Sequence, residues 1–222
     1  AIALTGPVTL TGNVIVTADD HADSTITFNS TSTVNASSSG GQSLTLDTDA
    51  GAIAMQGAIG GSTALNALTV NNDGAGTIEI TNIGTSSAAG VTGVTAIGNT
   101  NTGTLTLDGT VYTTTAGQTY TAASGQNIDI TNTSGTTFTT TNTAVAFNTS
   151  GVDLNNNGTT TINTGTGAGD VTFGAALDSN GGVNDALTIT SGSGAVDFAG
   201  NIGATNALSD LDINSSSGTG TI

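Results

Sequence analysis

The sequence predicts an all-β chain wound as a parallel β-solenoid of about nine coils. Three observations lead there: short apolar–polar–apolar runs along the whole chain, the near absence of a helical pattern, and an internal repeat with an offset of 143 residues. The runs come first. Asn13–Thr17, Ser24–Phe28, Ser43–Asp47, Thr77–Ile80, Thr104–Asp108, Asn127–Ile130, Asp170–Phe173, Ala186–Ile189 and Ala195–Phe198 all alternate, and Gly, Asn, Ser or Asp bounds each. Such alternation turns one side of a strand inward and the other to solvent. Helix is disfavoured because the chain is built largely from poor helix formers, among them 47 Thr and 33 Gly. No window of a dozen residues carries a clean helical period.

Strands this short fit either an antiparallel sandwich or a parallel solenoid. The Asp-Gly and Asn-Gly pairs at 73–74, 108–109, 157–158 and 180–181 would suit the tight hairpins of a sandwich. The core candidates, however, are small aliphatics, and Thr dominates the outward positions. Thin stacked layers of Val, Ile and Leu inside, with ladders of Thr and Asn outside, are what a solenoid requires.

The repeat supports the same choice. Residues 43–78 are equivalent to 186–222: Leu44 falls on Leu187, Leu46 on Ile189, Gly51 on Gly194, Ile53 on Val196 and Met55 on Phe198. Gly57 then falls on Gly200, Ile59 on Ile202, Leu65 on Leu208, Leu68 on Leu211 and Val70 on Ile213. One inserted residue brings Gly76-Thr77-Ile78 onto Gly220-Thr221-Ile222, and upstream Ile26-Thr27-Phe28 pairs with Val171-Thr172-Phe173 after a two-residue slip. Apolar positions stay apolar while polar positions drift, as in a duplicated structural unit. Residues 1–222 therefore read as a single continuous solenoid segment of about one and a half units. At about 24 residues per coil and about 4.8 Å per strand spacing, the rod would be about 40 to 45 Å long.

Charge bounds the function. The chain holds no Lys or Arg against 16 acidic residues, 15 of them Asp, for a formal charge of −16. Nucleic-acid binding requires cations to replace condensed counterions at phosphates, so no nucleic-acid partner is expected. A phosphate-binding loop of the Walker type lacks its Lys. The absence of Cys removes disulfide scaffolds and thiolate zinc sites. No run of 18 apolar residues occurs, and aromatics are only 3% of the chain. Neither a membrane-spanning helix nor a girdled outer-membrane barrel is expected, and no membrane insertion. Ala1 in place of Met reads as the start of a processed or excised segment of something longer.

The run GAIAMQGAIGGSTALNALTV at 51–70, repeated as GAVDFAGNIGATNALSDLDI at 194–213, resembles the repeats of filamentous-haemagglutinin-like and autotransporter-like bacterial β-strand-repeat adhesins. Thr113–Tyr120 resembles the Thr-Thr-Gly-x-Gln-Thr-Tyr element of those proteins, and the resemblance spans roughly residues 20–222. It implies a β-solenoid on the surface of a Gram-negative bacterium, displayed as an extracellular fibre that serves adhesion or matrix formation. The total lack of Lys and Arg departs from such repeats.

Candidate sites are few. Asp19, Asp20, His21 and Asp23 form a carboxylate–imidazole cluster suited to a transition metal or Ca²⁺. Asp47 with Asp49, and Asp210 with Asp212, could share a cation, and Ca²⁺ is the candidate structural or screening ion for so acidic a chain. No other cofactor is expected. Tyr112 and Tyr120 border the one aromatic-bearing segment, residues 109–120, which is the candidate protruding loop for contact with a partner. No catalytic residues are identified: paired carboxylates without Arg, Lys or sugar-stacking aromatics are a poor match to glycosidase chemistry, and an enzyme is not expected. The expected role is structural and non-catalytic, a rod that self-associates end to end or continues as the same chain in a fibre. Two alternatives are a surface-layer lattice subunit and an adhesin module that binds carbohydrate or a protein partner.

Overall fold

The computed structural model describes residues 1–18, 24–181 and 185–214. It is all-β, and every strand pairing is parallel. The chain runs round three faces, and each circuit makes one coil. Coil 1 holds β1 (Ile2–Leu4), β2 (Val8–Leu10) and β3 (Val14–Ala18) on the first, second and third faces. Coil 2 holds β4 (Ile26–Phe28), β5 (Val34–Ala36) and β6 (Leu44–Thr48). Coils 3 and 4 narrow on the second face to single bridging residues, Ile59 and Ile83. Their strands are β7 (Ile53–Met55) and β8 (Leu68–Asn72), then β9 (Ile78–Ile80) and β10 (Thr95–Ile97). Coil 5 has β11 (Leu105–Leu107), β12 (Val111–Thr113) and β13 (Gln118–Thr121). Coil 6 has β14 (Asn127–Ile130), β15 (Thr136–Thr139) and β16 (Val145–Asn148). Coil 7 has β17 (Gly151–Leu154), β18 (Thr159–Asn163) and β19 (Val171–Phe173). Coil 8 has β20 (Leu177–Ser179), β21 (Ala186–Thr190) and β22 (Val196–Phe198). A ninth coil begins with a bridge at Ile202 and β23 (Asp210–Asn214). The solenoid class and the coil number expected from the alternating runs hold.

Successive coils keep their register, so each inward position becomes a column running through the stack. On the first face one column is Ile2, Ile26, Ile53, Ile78, Leu105, Ile128, Val152, Leu177 and Ile202. Between Ile26 and Leu177 its members are at most 1% exposed. Each such side chain withdrawn from water contributes on the order of 1.5–3 kcal/mol against the entropy of ordering the chain. The third face carries an aromatic column: Tyr120, Phe147, Phe173 and Phe198 stack with centroids 5.3, 5.1 and 5.0 Å apart and rings within 17° of parallel. Coil spacing imposes that distance, because in-register rings on adjacent parallel strands have nowhere else to go.

The repeat acquires geometric content here. β6 lies on the third face, but its equivalent β21 lies on the second; β7 lies on the first and β22 on the third. An offset of 143 residues is thus five coils and two faces, and the second copy of the unit is rotated by one face about the axis. Local contacts survive the rotation. Val34 pairs with Ile59 as Leu177 pairs with Ile202, and Leu44 with Leu68 as Leu187 with Leu211. Thr48 Oγ1 donates to Gly51 O at 2.9 Å, and Ser191 Oγ to Gly194 O at 3.1 Å. The shared glycines have a steric reason: a Cβ on Gly51 would sit 1.7 Å from Ser24 O, and on Gly194 2.2 Å from Gly169 O. Gly60 and Gly203 take φ of +65° and +63°, where an L side chain is strained.

Candidate functional site: an in-register carboxylate ladder

The first face turns its even-spaced outward residues into a column of their own. From coil 4 onward it reads Glu79, Thr106, Asp129, Asp153 and Asp178. The local cause is the alternation in Ile128-Asp129-Ile130, Val152-Asp153-Leu154 and Leu177-Asp178-Ser179: the flanking residues, apolar except for the buried Ser179, point inward, and the Asp between them must point out. Parallel register then sets three carboxylates on consecutive coils at a spacing of about 4.8 Å. With no Lys or Arg in the chain, no cation side chain compensates them. Partial burial, and next the charge of Asp153, raise the Asp129 carboxyl above its ordinary value; burial and then Asp178 do the same to Asp153.

Hydrogen bonds hold the ladder in place. Asn127 Nδ2 donates to Asp153 Oδ2 at 2.7 Å, and the Thr205 backbone N–H donates to Asp178 Oδ1 at 2.9 Å. The second is inherited from the repeat, since the Ser62 N–H donates to Asn35 Oδ1 at the same distance. Asn127, Asp153, Asp178, Ser179, Asn180, Thr205 and Asn206 line a polar cleft of about 320 Å³. Below it, buried Asp185 is fully engaged: its Oδ1 accepts the Asn157 N–H at 2.7 Å and the Asn156 N–H at 3.2 Å, and its Oδ2 accepts the Ser179 hydroxyl at 2.5 Å. The residues that line the cleft include no aromatic side chain.

The structure relocates the sequence candidates. Tyr112 and Tyr120 are fully buried, not on a protruding loop, because residues 111–113 and 118–121 are strands β12 and β13. Their reading as a partner surface is corrected: their rings meet edge to face at 6.1 Å, and Tyr112 stacks on Phe138 at 4.9 Å. The Tyr112 hydroxyl donates to Ile80 O at 2.7 Å and accepts the Gly109 N–H at 2.9 Å; that of Tyr120 donates to Gln118 Oε1 at 3.0 Å. Burial pushes both phenols well above their usual range. Asp210 and Asp212 sit exposed on β23, opposite Ala186 and Thr188. Asp47 lies on β6 opposite Asn71, and Asp49 follows that strand at an exposed bend. Asp19, Asp20, His21 and Asp23 lie outside the described residues. Among the described residues no three or more His, Cys, Asp or Glu side chains group in a way that could hold a metal ion. The Asp129–Asp153–Asp178 ladder is not evident from sequence; its signal is an Asp that follows an inward apolar residue and recurs at one-coil spacing, as in Ile128-Asp129, Val152-Asp153 and Leu177-Asp178.

No protein-family model, curated protein or solved structure matches the chain.

Proposed function

We propose that the chain is a structural, non-catalytic segment of a bacterial extracellular fibre or surface adhesin, displayed by a Gram-negative cell. The observation that carries this reading is the unbroken register of the inward columns from coil 1 to the ninth coil, which makes the whole described molecule one stack of backbone ladders. Each coil between the first and the last described bonds to the coil above and below, so load along the axis is shared by many main-chain hydrogen bonds. The resemblance of residues 51–70 and 194–213 to adhesin repeats supports the surface setting. The outward Thr and Asp ladders support solubility and keep neighbouring rods apart at neutral pH, with Ca²⁺ or Mg²⁺ as the screening counterion.

The carboxylate ladder favours a second reading, a surface-layer lattice in which divalent ions bring acidic rod flanks together. Electron microscopy of the native material separates the two. Filaments with the coils stacked along the filament axis support the first. A two-dimensional lattice that dissolves in chelator supports the second. Dispersed particles that turn over a glycan overturn both.

A further inference from the structure

We propose that the Thr149–Ser150 peptide bond is a self-processing site, at which the Ser150 hydroxyl breaks the chain's own backbone between coils 6 and 7. Three observations meet at this bond. The first is the backbone. The Ser150 N–H donates to Asn148 O at 2.9 Å, a γ-turn closed across Thr149, whose φ is +65°. The γ-turn with positive φ is the rare and strained form, and a β-branched side chain is an outlier there. Where coils 4 and 5 turn the same corner, the positive φ belongs to Gly98 and Gly125, at +74° and +82°. Among the described residues the other non-glycine positions with positive φ are Asn142 and Asn157, a residue type that tolerates that region.

The second is the nucleophile. Ser150 is 2% exposed, and its Oγ has no hydrogen-bond partner among the described residues. Buried hydroxyls at other corners are engaged: Ser32 Oγ donates to Leu4 O at 2.8 Å and Thr164 Oγ1 to Gly169 O at 2.7 Å. A Ser Oγ lies within one χ1 rotation of the carbonyl carbon of the residue before it, here Thr149. The third is the clamp. The strands on either side of the turn are each paired on both flanks, β16 with β13 and β19, and β17 with β14 and β20. Thr149 Oγ1 donates to Ala122 O of the preceding coil, and the Gly174 N–H of the following coil donates to Phe147 O at 2.8 Å. The stack therefore holds the strained turn in place for as long as the 149–150 bond is intact.

The chemistry is an N-to-O acyl shift followed by hydrolysis. Ser150 Oγ adds to the Thr149 carbonyl carbon, and its proton passes to the departing nitrogen as the C–N bond breaks. The product is an ester from Thr149 to Ser150 Oγ with a free Ser150 amine, and the γ-turn is released. An ester is ordinarily less stable than the amide it replaces, and release of the turn's strain offsets that difference. Thr149 is exposed, so water reaches the ester. Water adds to the acyl carbon, which leaves a carboxylate on Thr149 and returns the hydroxyl to Ser150. The pieces, residues 1–149 and 150–222, stay joined through the pairing of β14 with β17 and of β16 with β19, so the rod is nicked but whole.

The test incubates the purified full chain at neutral pH with protease inhibitors, with and without dilute hydroxylamine, which traps esters. Intact mass and N-terminal sequencing under denaturing conditions read the cut. Two fragments are expected, the second beginning at Ser150, and hydroxylamine should speed their appearance and leave a hydroxamate on Thr149. Fragment masses separate this cut from hydroxylamine attack at Asn157-Gly158 and Asn180-Gly181. Ser150→Ala should abolish the cut and Ser150→Thr should retain it, while Thr149→Gly, which removes the strain, should slow it about tenfold or more. Unfolding the wild type in urea should stop it. Circular dichroism checks the fold of each variant, and if Ser150→Ala loses its strand signal, Thr149→Gly and the urea arm decide. A wild type that stays intact even in hydroxylamine would overturn the proposal, as would a cut that persists in folded Ser150→Ala, or equal rates in Thr149→Gly or in urea.

Discussion

At the scale of single residues, the core of this chain holds polar groups that are well satisfied and others, Thr95 and Ser150 among the described residues, that are not. Tyr112 is the clearest of the first kind. Its hydroxyl bonds both Ile80 O and the Gly109 N–H inside a fully buried aromatic cluster. Tyr112→Phe keeps the ring stack and leaves Ile80 O with the Asp108 N–H at 3.1 Å, but it strands the buried Gly109 N–H, which costs about 1–3 kcal/mol in desolvation. The expected result is a lower urea midpoint with an unchanged m-value. Thr95 is the opposite case. It stands inward between Leu68 and Gln118, and its Oγ1 is buried without a hydrogen-bond partner among the described residues. Val has nearly the same shape and no hydroxyl, so Thr95→Val should raise stability by about 1–2 kcal/mol, read as a higher urea midpoint. Equal or lower stability would mean that a partner satisfies that hydroxyl.

At the scale of elements, the alternating runs of sequence located nine strands and their inward sides, and the structure places a strand at each. The others were harder to read because inward positions are often polar. Thr136 and Thr160 head inward columns on β15 and β18, Gln118 does so on β13, and Asn72 ends β8, its Nδ2 bonding Thr48 Oγ1 at 2.9 Å. A buried Thr breaks an apolar–polar pattern without breaking the strand, since its β-branched backbone preference remains. Tyr112 and Tyr120 were misread for the mirror reason: Gly and Thr flank them as in a loop, and only register with Phe138 and Phe147 shows them to be core. The carboxylate ladder depends on register too, so it is visible only once coils are stacked.

That ladder makes a pH prediction with a defined sign. Asp129 and Asp153 have folded values above the ordinary carboxylate value of about 3.9. The folded state therefore binds protons more readily than the unfolded chain, and stability rises as the groups protonate. The gain is complete below the unfolded value and is lost as pH rises through the folded values. Urea midpoints should increase from neutral pH down toward pH ~4, against the usual trend for proteins whose carboxylates are paired. Asp153→Asn, which preserves an acceptor for Asn127, should stabilise the chain at neutral pH and flatten this dependence. A midpoint that falls on acidification in the wild type and is insensitive to Asp153→Asn would refute the ladder's role.

At the scale of the whole molecule, a chain without one Lys or Arg keeps a fold because its cohesion is vertical: backbone ladders and apolar columns repeated coil after coil, with no internal ion pair required. The rotated repeat extends the point. Moving a 143-residue unit by five coils and two faces preserves its hydrogen bonds, because every face offers the same parallel edge and the same inward column. Structure of this kind favours a rod whose axis is its functional direction. Fibre diffraction from oriented filaments of the chain tests that claim most directly. The account predicts a meridional reflection near 4.8 Å, from strands lying across the filament axis and coils stacking along it. A reflection of that spacing on the equator, or filaments that give none, would contradict it.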